Sequence, residues 1–283
     1  MKLISFTRST AAASRPSYGI VAGDGVIDVG ARAPGTPDLA AALADPAFLT
    51  GFAQHDADVA LAEVTLLPPI PDSRRIMCVG LNYKTHIAET GRDMPTHPML
   101  FPRYPESLVA HDQPMIRPHA SSNFDFEGEL AFVIGKPGRH IAAADAMQHV
   151  AGYSCLNDGS LRDFQRHTTQ FLPGKNFARS GSFGPWLVTP DEVGELGAQT
   201  IETRLNGEMM QRATLDDLLF GVADLIAYMS AIWTLQPGDV VATGTTGGVG
   251  LFRDPKVWMQ PGDLIEVEIS NIGVLANRIE QEA

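Results

Sequence analysis

Asp125-Phe126-Glu127-Gly128-Glu129-Leu130-Ala131-Phe132-Val133-Ile134-Gly135 is the stretch on which the fold of this chain turns. Side chains alternate faces along a β-strand, so the pattern predicts Asp125, Glu127 and Glu129 on one face and Phe126, Leu130, Phe132 and Ile134 on the other. Acids two residues apart on such a face stand roughly 7 Å from each other and repel by about 2 kcal/mol at an effective dielectric of about 20. A cation removes that cost. An edge strand with its acidic face in water produces the same alternation, but the apolar run that closes the stretch is that of a strand whose far end enters a core.

Upstream, Leu66-Leu67-Pro68-Pro69-Ile70-Pro71-Asp72 is the strongest linker signal, because successive prolines hold the backbone extended and bar both helix and central strand. It predicts a small N-terminal α/β domain over residues 1–70 and a larger domain over 71–283. In the first, Lys2 to Thr7 alternates as a strand, Tyr18 to Val29 reads as two strands about a Gly-Asp-Gly turn, and Asp38 is placed to cap a short helix. Just past the linker, Ile76 to Gly80 has the composition of a buried strand. If the next segment is helical, His86 and Glu89 share a face at i, i+3. A carboxylate holding an imidazole fixes its tautomer and raises its basicity, as a general base acting on water requires; a solvated His/Glu pair satisfies the same spacing. The proline-rich, irregular stretch from Pro95 to Pro118 contains Arg103, a source of positive charge if that loop lines a site.

Downstream, Gly152 to Leu156 reads as a strand that ends at Asn157-Asp158 and turns into a helical stretch with Arg162 and Gln165 on one face. Asp158 equally suits a turn or cap. Lys175 follows Gly174. A hairpin is expected about Asn206-Gly207, and a helix over 216–233, with Leu219, Val222, Ile226, Met229 and Trp233 as its apolar stripe and Asp216 and Asp217 near its start. The strand from Val240 to Thr243 leads into the glycine-rich Gly244 to Gly250 loop. No Gly-Lys-Ser/Thr follows and no Rossmann strand-turn-helix surrounds it, which argues against a nucleotide site.

The 283 residues are 44% hydrophobic, with a formal net charge of −12 and no Lys/Arg-rich run, so nucleic acid is not an expected partner. Cys78 and Cys155 both lie in apolar sequence and suit the core of a protein in a reducing compartment. No apolar run approaches the length of a membrane span and the N-terminus lacks a signal-type apolar core, so a soluble, cytoplasmic protein is expected.

Together these blocks resemble the fumarylacetoacetate hydrolase family from about residue 74 to the C-terminus. The motifs occur in order: Val79-Gly80-Leu81-Asn82-Tyr83 with His86 and Glu89; Asp125-Phe126-Glu127-Gly128-Glu129-Leu130; Asn157-Asp158 with Arg162, Asp163 and Gln165; Gly174-Lys175 with Gly184-Pro185-Trp186; and Pro237-Gly238-Asp239 with Thr243-Gly244-Thr245. The resemblance implies an α+β, mainly β fold, a mixed sheet roll with few helices, behind a small N-terminal domain. It implies a divalent ion, Mg²⁺ or Mn²⁺, on Glu127, Glu129 and Asp158, which an all-oxygen donor set suits. His86 and Glu89 then match the family's water-activating pair. Lys175, Arg162 and Gln165 match groups that hold substrate or a developing oxyanion, and Arg103 and Thr245 match residues near substrate. Two positions depart from the common pattern: Thr246 stands where many members have proline, and Arg103 where many have lysine. The implied activity is hydrolysis of a C–C bond in a 2,4-dioxo acid such as fumarylpyruvate or maleylpyruvate, giving pyruvate and a carboxylic acid. The same chemistry serves oxaloacetate decarboxylation or tautomerisation and isomerisation of hydroxymuconate-type dioates. A homodimer is expected, and a non-catalytic dimeric scaffold is the remaining alternative.

Overall fold

The computed structural model describes residues 1–8 and 15–283. Its frame is a mixed 12-stranded sheet in which Val240–Thr245 lies between Gly128–Ile134 and Ile76–Gly80, antiparallel to the first and parallel to the second. On the far side of Gly128–Ile134 follow Val150–Asn157, Gly181–Val188 and then Lys2–Arg8, so the N-terminal strands extend the same sheet across the proline linker. A second, five-stranded sheet carries Glu208–Thr214, Thr200–Leu205, Leu264–Ile269, Gly273–Gln281 and Met115–Arg117. The architecture is the expected α+β, mainly β roll with short helices. Among the described residues, no helix is long and apolar enough to cross a membrane.

The strand Gly128–Ile134 is buried on both faces, which accounts for its unbroken apolar run. Leu130, Phe132 and Ile134 join one core with Ile201, Val267 and the helical residues Leu225, Ile226 and Met229. Ala131 and Val133 face the opposite core, with Ile20, Leu39, Cys78 and Phe183. Burying each larger side chain stabilises the fold by about 1.5–3 kcal/mol, so this strand is fixed in register by both layers. Asp38 caps the helix Leu39–Ala42 by accepting from the Ala41 N–H, and the Asn206-Gly207 turn has positive φ at both residues, as a tight hairpin requires.

Two expectations need correction. The acidic stretch is not one continuous strand: Phe124–Asp125 pairs with Ser160–Leu161, and regular pairing resumes only at Gly128. In between, the N–H groups of Phe126, Glu127 and Gly128 donate to the side chains of Asp125, Asn157 and Gln211 instead of a neighbouring strand. Phe126 accordingly packs in a third core with Phe124, Met115 and Met259, away from Leu130 and Phe132. The long helix is also shorter than expected, Val222–Ile232, because Leu219 and Phe220 bond through their N–H groups to Asn82 and Asp217 is engaged by Thr85.

Candidate active site

The break in the acidic stretch brings three carboxylates together. Gly128 stands opposite Asn157 in register, so Glu127 and Glu129 flank the end of one strand while Asp158 follows the end of its neighbour. One oxygen from each of Glu127, Glu129 and Asp158 lies within 4.8 Å of the others, and all three residues are buried. Asp125, expected on the same face, points elsewhere: its carboxylate accepts from the Gly250 and Leu251 N–H groups and from Arg162 Nε. A Cβ on Gly128 would stand 2.0 Å from Thr203 Oγ1, so only glycine lets the two sheets close here.

Cations surround this cluster. Lys175 Nζ lies 2.7 Å from Glu127 Oε2 and 2.6 Å from Asp158 Oδ2. Arg162 spans Asp125 and Glu127 and donates to Gln165 Oε1 at 2.9 Å, the i, i+3 pairing read from the sequence. Burial alone would raise the pKa of Glu127, but the adjacent Arg162 and Lys175 charges outweigh it and bring it down to about 2. Glu129 is different. Burial, with Asp158 and Glu127 close by, pushes its pKa well above the ordinary carboxylate range, and among the described residues its one hydrogen-bond donor is the Gly244 N–H. A buried all-carboxylate set short of positive charge is what a hard divalent ion satisfies.

Arg103 is not where the sequence reading put it. Its guanidinium is fully buried behind Asp158, donating to Asp158 Oδ1, to Gly159 O and Ser107 O, and to the Ser107 and Ser180 hydroxyls. It holds a carboxylate in place and is absent from the lining of the cavity over the cluster. Thr245 lines the cavity, yet its hydroxyl donates to Gly128 O and accepts from Gln211 Nε2.

A cavity of about 500 Å³ opens over the cluster, lined by Glu127, Glu129, Arg162, Gln165, Lys175 and His86. His86 and Glu89 sit on the helix Lys84–Thr90, with His86 Nδ1 2.9 Å from Glu89 Oε2. The second Glu89 oxygen accepts the Gly248 N–H, and the Phe252 ring stands edge-on to the imidazole at 6.0 Å. The glycine-rich loop thus spends its N–H groups on the chain's own acids. Gln211, which joins Gly128 to Thr245 and Thr246, was missed in the sequence because it lies in an ordinary-looking hairpin strand. Asp217, Phe252, Arg92 and Arg166 were missed as well; Arg166 directly follows the Arg/Gln block and Arg92 comes three residues after Glu89, and that nearness was the available signal.

A mixed β roll holding a buried carboxylate triad beneath a helix that carries a His/Glu pair defines a divalent-metal enzyme site. The chain belongs to the fumarylacetoacetate hydrolase family: the family's sequence profile, "Fumarylacetoacetate (FAA) hydrolase C-terminal", matches residues 75–280. Among its relatives, human "Oxaloacetate tautomerase FAHD2A, mitochondrial" is 41% identical over 77% of this chain and 70% of that protein. "Oxaloacetate tautomerase YisK" of Bacillus subtilis is 41% identical over 77% of this chain and 74% of its own. In three dimensions the chain is similar to a putative HpcE protein from Mycobacterium smegmatis, with a TM-score of 0.89, 33% identity and 100% of both chains covered. Maleylpyruvate hydrolase from Sphingobium, solved with manganese(II) and pyruvate, matches with a TM-score of 0.79, 28% identity and 100% of both chains covered.

Proposed function

We propose that this protein catalyses keto–enol tautomerisation of a short 2-oxo acid, with oxaloacetate as the substrate. The observation that carries the reading is the imidazole held by Glu89 in the same cavity as Glu127 and Glu129, two members of the carboxylate triad. With Nδ1 bonded to the Glu89 carboxylate, Nε2 of His86 is left with a lone pair, the base that takes a proton from the carbon next to the 2-oxo group and returns it. Arg162 Nη2, buried and without a hydrogen-bond partner among the described residues, supplies a donor for the oxygen on which negative charge builds. Glu127, Glu129 and Asp158 would hold the divalent ion, Mg²⁺ or Mn²⁺, which when bound draws electron density from the 2-oxo oxygen and acidifies that C–H bond. The curated relatives at 41% identity favour this reaction over hydrolysis.

Hydrolysis of an acylpyruvate is the second reading, favoured by the likeness to the pyruvate-bound maleylpyruvate hydrolase. In that case His86 removes a proton from water instead of carbon. Purified protein loaded with Mn²⁺ is mixed with freshly dissolved keto-oxaloacetate, and enol formation is followed beside pyruvate release from fumarylpyruvate and maleylpyruvate. Accelerated enol formation without pyruvate supports the tautomerase; pyruvate with equimolar carboxylic acid turns the assignment to the hydrolase. The homodimer belongs to the same proposal and is tested by sedimentation equilibrium.

A further inference from the structure

The charges around the cluster leave one part of such a substrate unaccounted for. Four buried carboxylates, Asp125, Glu127, Glu129 and Asp158, face three buried cations, Arg103, Arg162 and Lys175. With all four carboxylates ionised, as metal binding requires, that interior is one charge short of neutral. A divalent ion reverses the deficit to a single positive charge, which the carboxylate beside the 2-oxo group cancels. A second carboxylate would find no counter-charge inside, and an unpaired charge there is costly.

At the exposed edge of the same cavity stand Arg92, just past the helix Lys84–Thr90, and Arg166, just past Arg162–Gln165. Among the described residues, neither guanidinium has an ion-pair or hydrogen-bond partner. Every cation deeper in the site is already paired. Much of the wall between is apolar, Leu81, Phe101, Phe171, Leu251 and Phe252, and offers an anion nothing.

From this, and resting on the 2-oxo acid reading above, we infer that Arg92 and Arg166 receive the distal carboxylate of a dicarboxylate substrate and set the preference of the enzyme for dianions. A guanidinium fork matches a carboxylate in geometry as well as charge, and two of them at a cavity mouth raise the local concentration of a dianion on an otherwise acidic protein.

Oxaloacetate and 2-oxobutyrate differ only in carrying a distal carboxylate or a methyl group. Calorimetric titration of the Mn²⁺-loaded protein with each, oxaloacetate being used as its equilibrated keto–enol mixture, measures the preference without relying on turnover. The wild type is expected to favour oxaloacetate by roughly tenfold or more, the scale of one good charge-assisted contact. Arg92→Ala/Arg166→Ala should lose most of that ratio while its affinity for 2-oxobutyrate stays within about twofold, and Arg166→Lys should retain part of it. A double variant with the wild-type ratio, or a wild type with no preference, overturns the inference and leaves the 2-oxo acid reading standing. A wild type that binds neither acid overturns both.

Discussion

Glu89 Oε1 accepts the Gly248 N–H at 2.9 Å while Oε2 holds His86 Nδ1 at the same distance. One carboxylate therefore orients the imidazole and ties its helix to the glycine-rich loop. Thr85 adds a second tie, its N–H and hydroxyl both reaching Asp217 Oδ2. The imidazole is positioned from three segments far apart in sequence.

His86→Ala should lower kcat by about 10²- to 10⁴-fold, the usual worth of a positioned general base, with Mn²⁺ affinity unchanged. Glu89→Gln keeps an oxygen for the Gly248 N–H but loses the charge facing Nδ1, so it should lower kcat less and shift the pH profile. Steady-state kinetics beside Mn²⁺ titration checks both, and full activity in His86→Ala would remove the imidazole from the reaction.

Arg103→Ala tests whether that residue positions Asp158 or contacts substrate. Removing it leaves a buried carboxylate without its guanidinium, which costs roughly 3–5 kcal/mol. Thermal unfolding should show a large fall in Tm and weaker metal binding. A variant of normal stability with only a raised KM would return Arg103 to the substrate.

Glu129 gives the site a definite pH dependence. Its pKa in the metal-free fold lies above the ordinary value of 4.5, so the folded state binds this proton more tightly than the unfolded chain does. Its contribution to stability is full at low pH and is lost as pH rises through the folded value. Metal binding needs the ionised form, so Mn²⁺ affinity should rise with pH over the same window and binding should release a proton. Calorimetry in buffers of different ionisation enthalpy measures that release, and Glu129→Gln should abolish it.

Gly248→Ala should disturb the His86/Glu89 pair without touching the cluster. Gly248 has a φ of +100°, and a Cβ there would stand 2.3 Å from the Met210 carbonyl oxygen. The strain, of order 1–3 kcal/mol, displaces the N–H that Glu89 needs. A reduced kcat with unchanged Mn²⁺ affinity is expected, and unchanged kcat would make the tie between loop and helix incidental.

Much of this site was legible in the sequence because its chemistry sits in short local motifs. The His86/Glu89 and Arg162/Gln165 pairs follow from helix spacing, and both are bonded as that spacing implies. The acid alternation was misread at one point: period-two patterning cannot reveal that three successive N–H groups find side-chain acceptors and break the strand between Asp125 and Gly128. Arg103 was misplaced for a related reason, since a basic residue in a proline-rich stretch, here the end of the strand Met99–Arg103, carries no mark of which side of Asp158 it will occupy. Gln211 was invisible because its role depends on a hairpin meeting a loop, a contact with no local signature.

The place of Val240–Thr245 between Gly128–Ile134 and Ile76–Gly80 also sets when the site can exist during synthesis. Glu129 waits for the Gly244 N–H, Glu89 for Gly248 and Asp125 for Gly250, all encoded in the last fifth of the chain. The first strand must likewise wait for Gly181–Val188 before it has its inner neighbour. A nascent chain emerging from the ribosome holds every acid of the cluster long before it holds the backbone that arranges them. Pairings so distant along the chain make for slow folding, and premature termination before residue 240 would release a product with the acids, His86 and Lys175 present and unassembled.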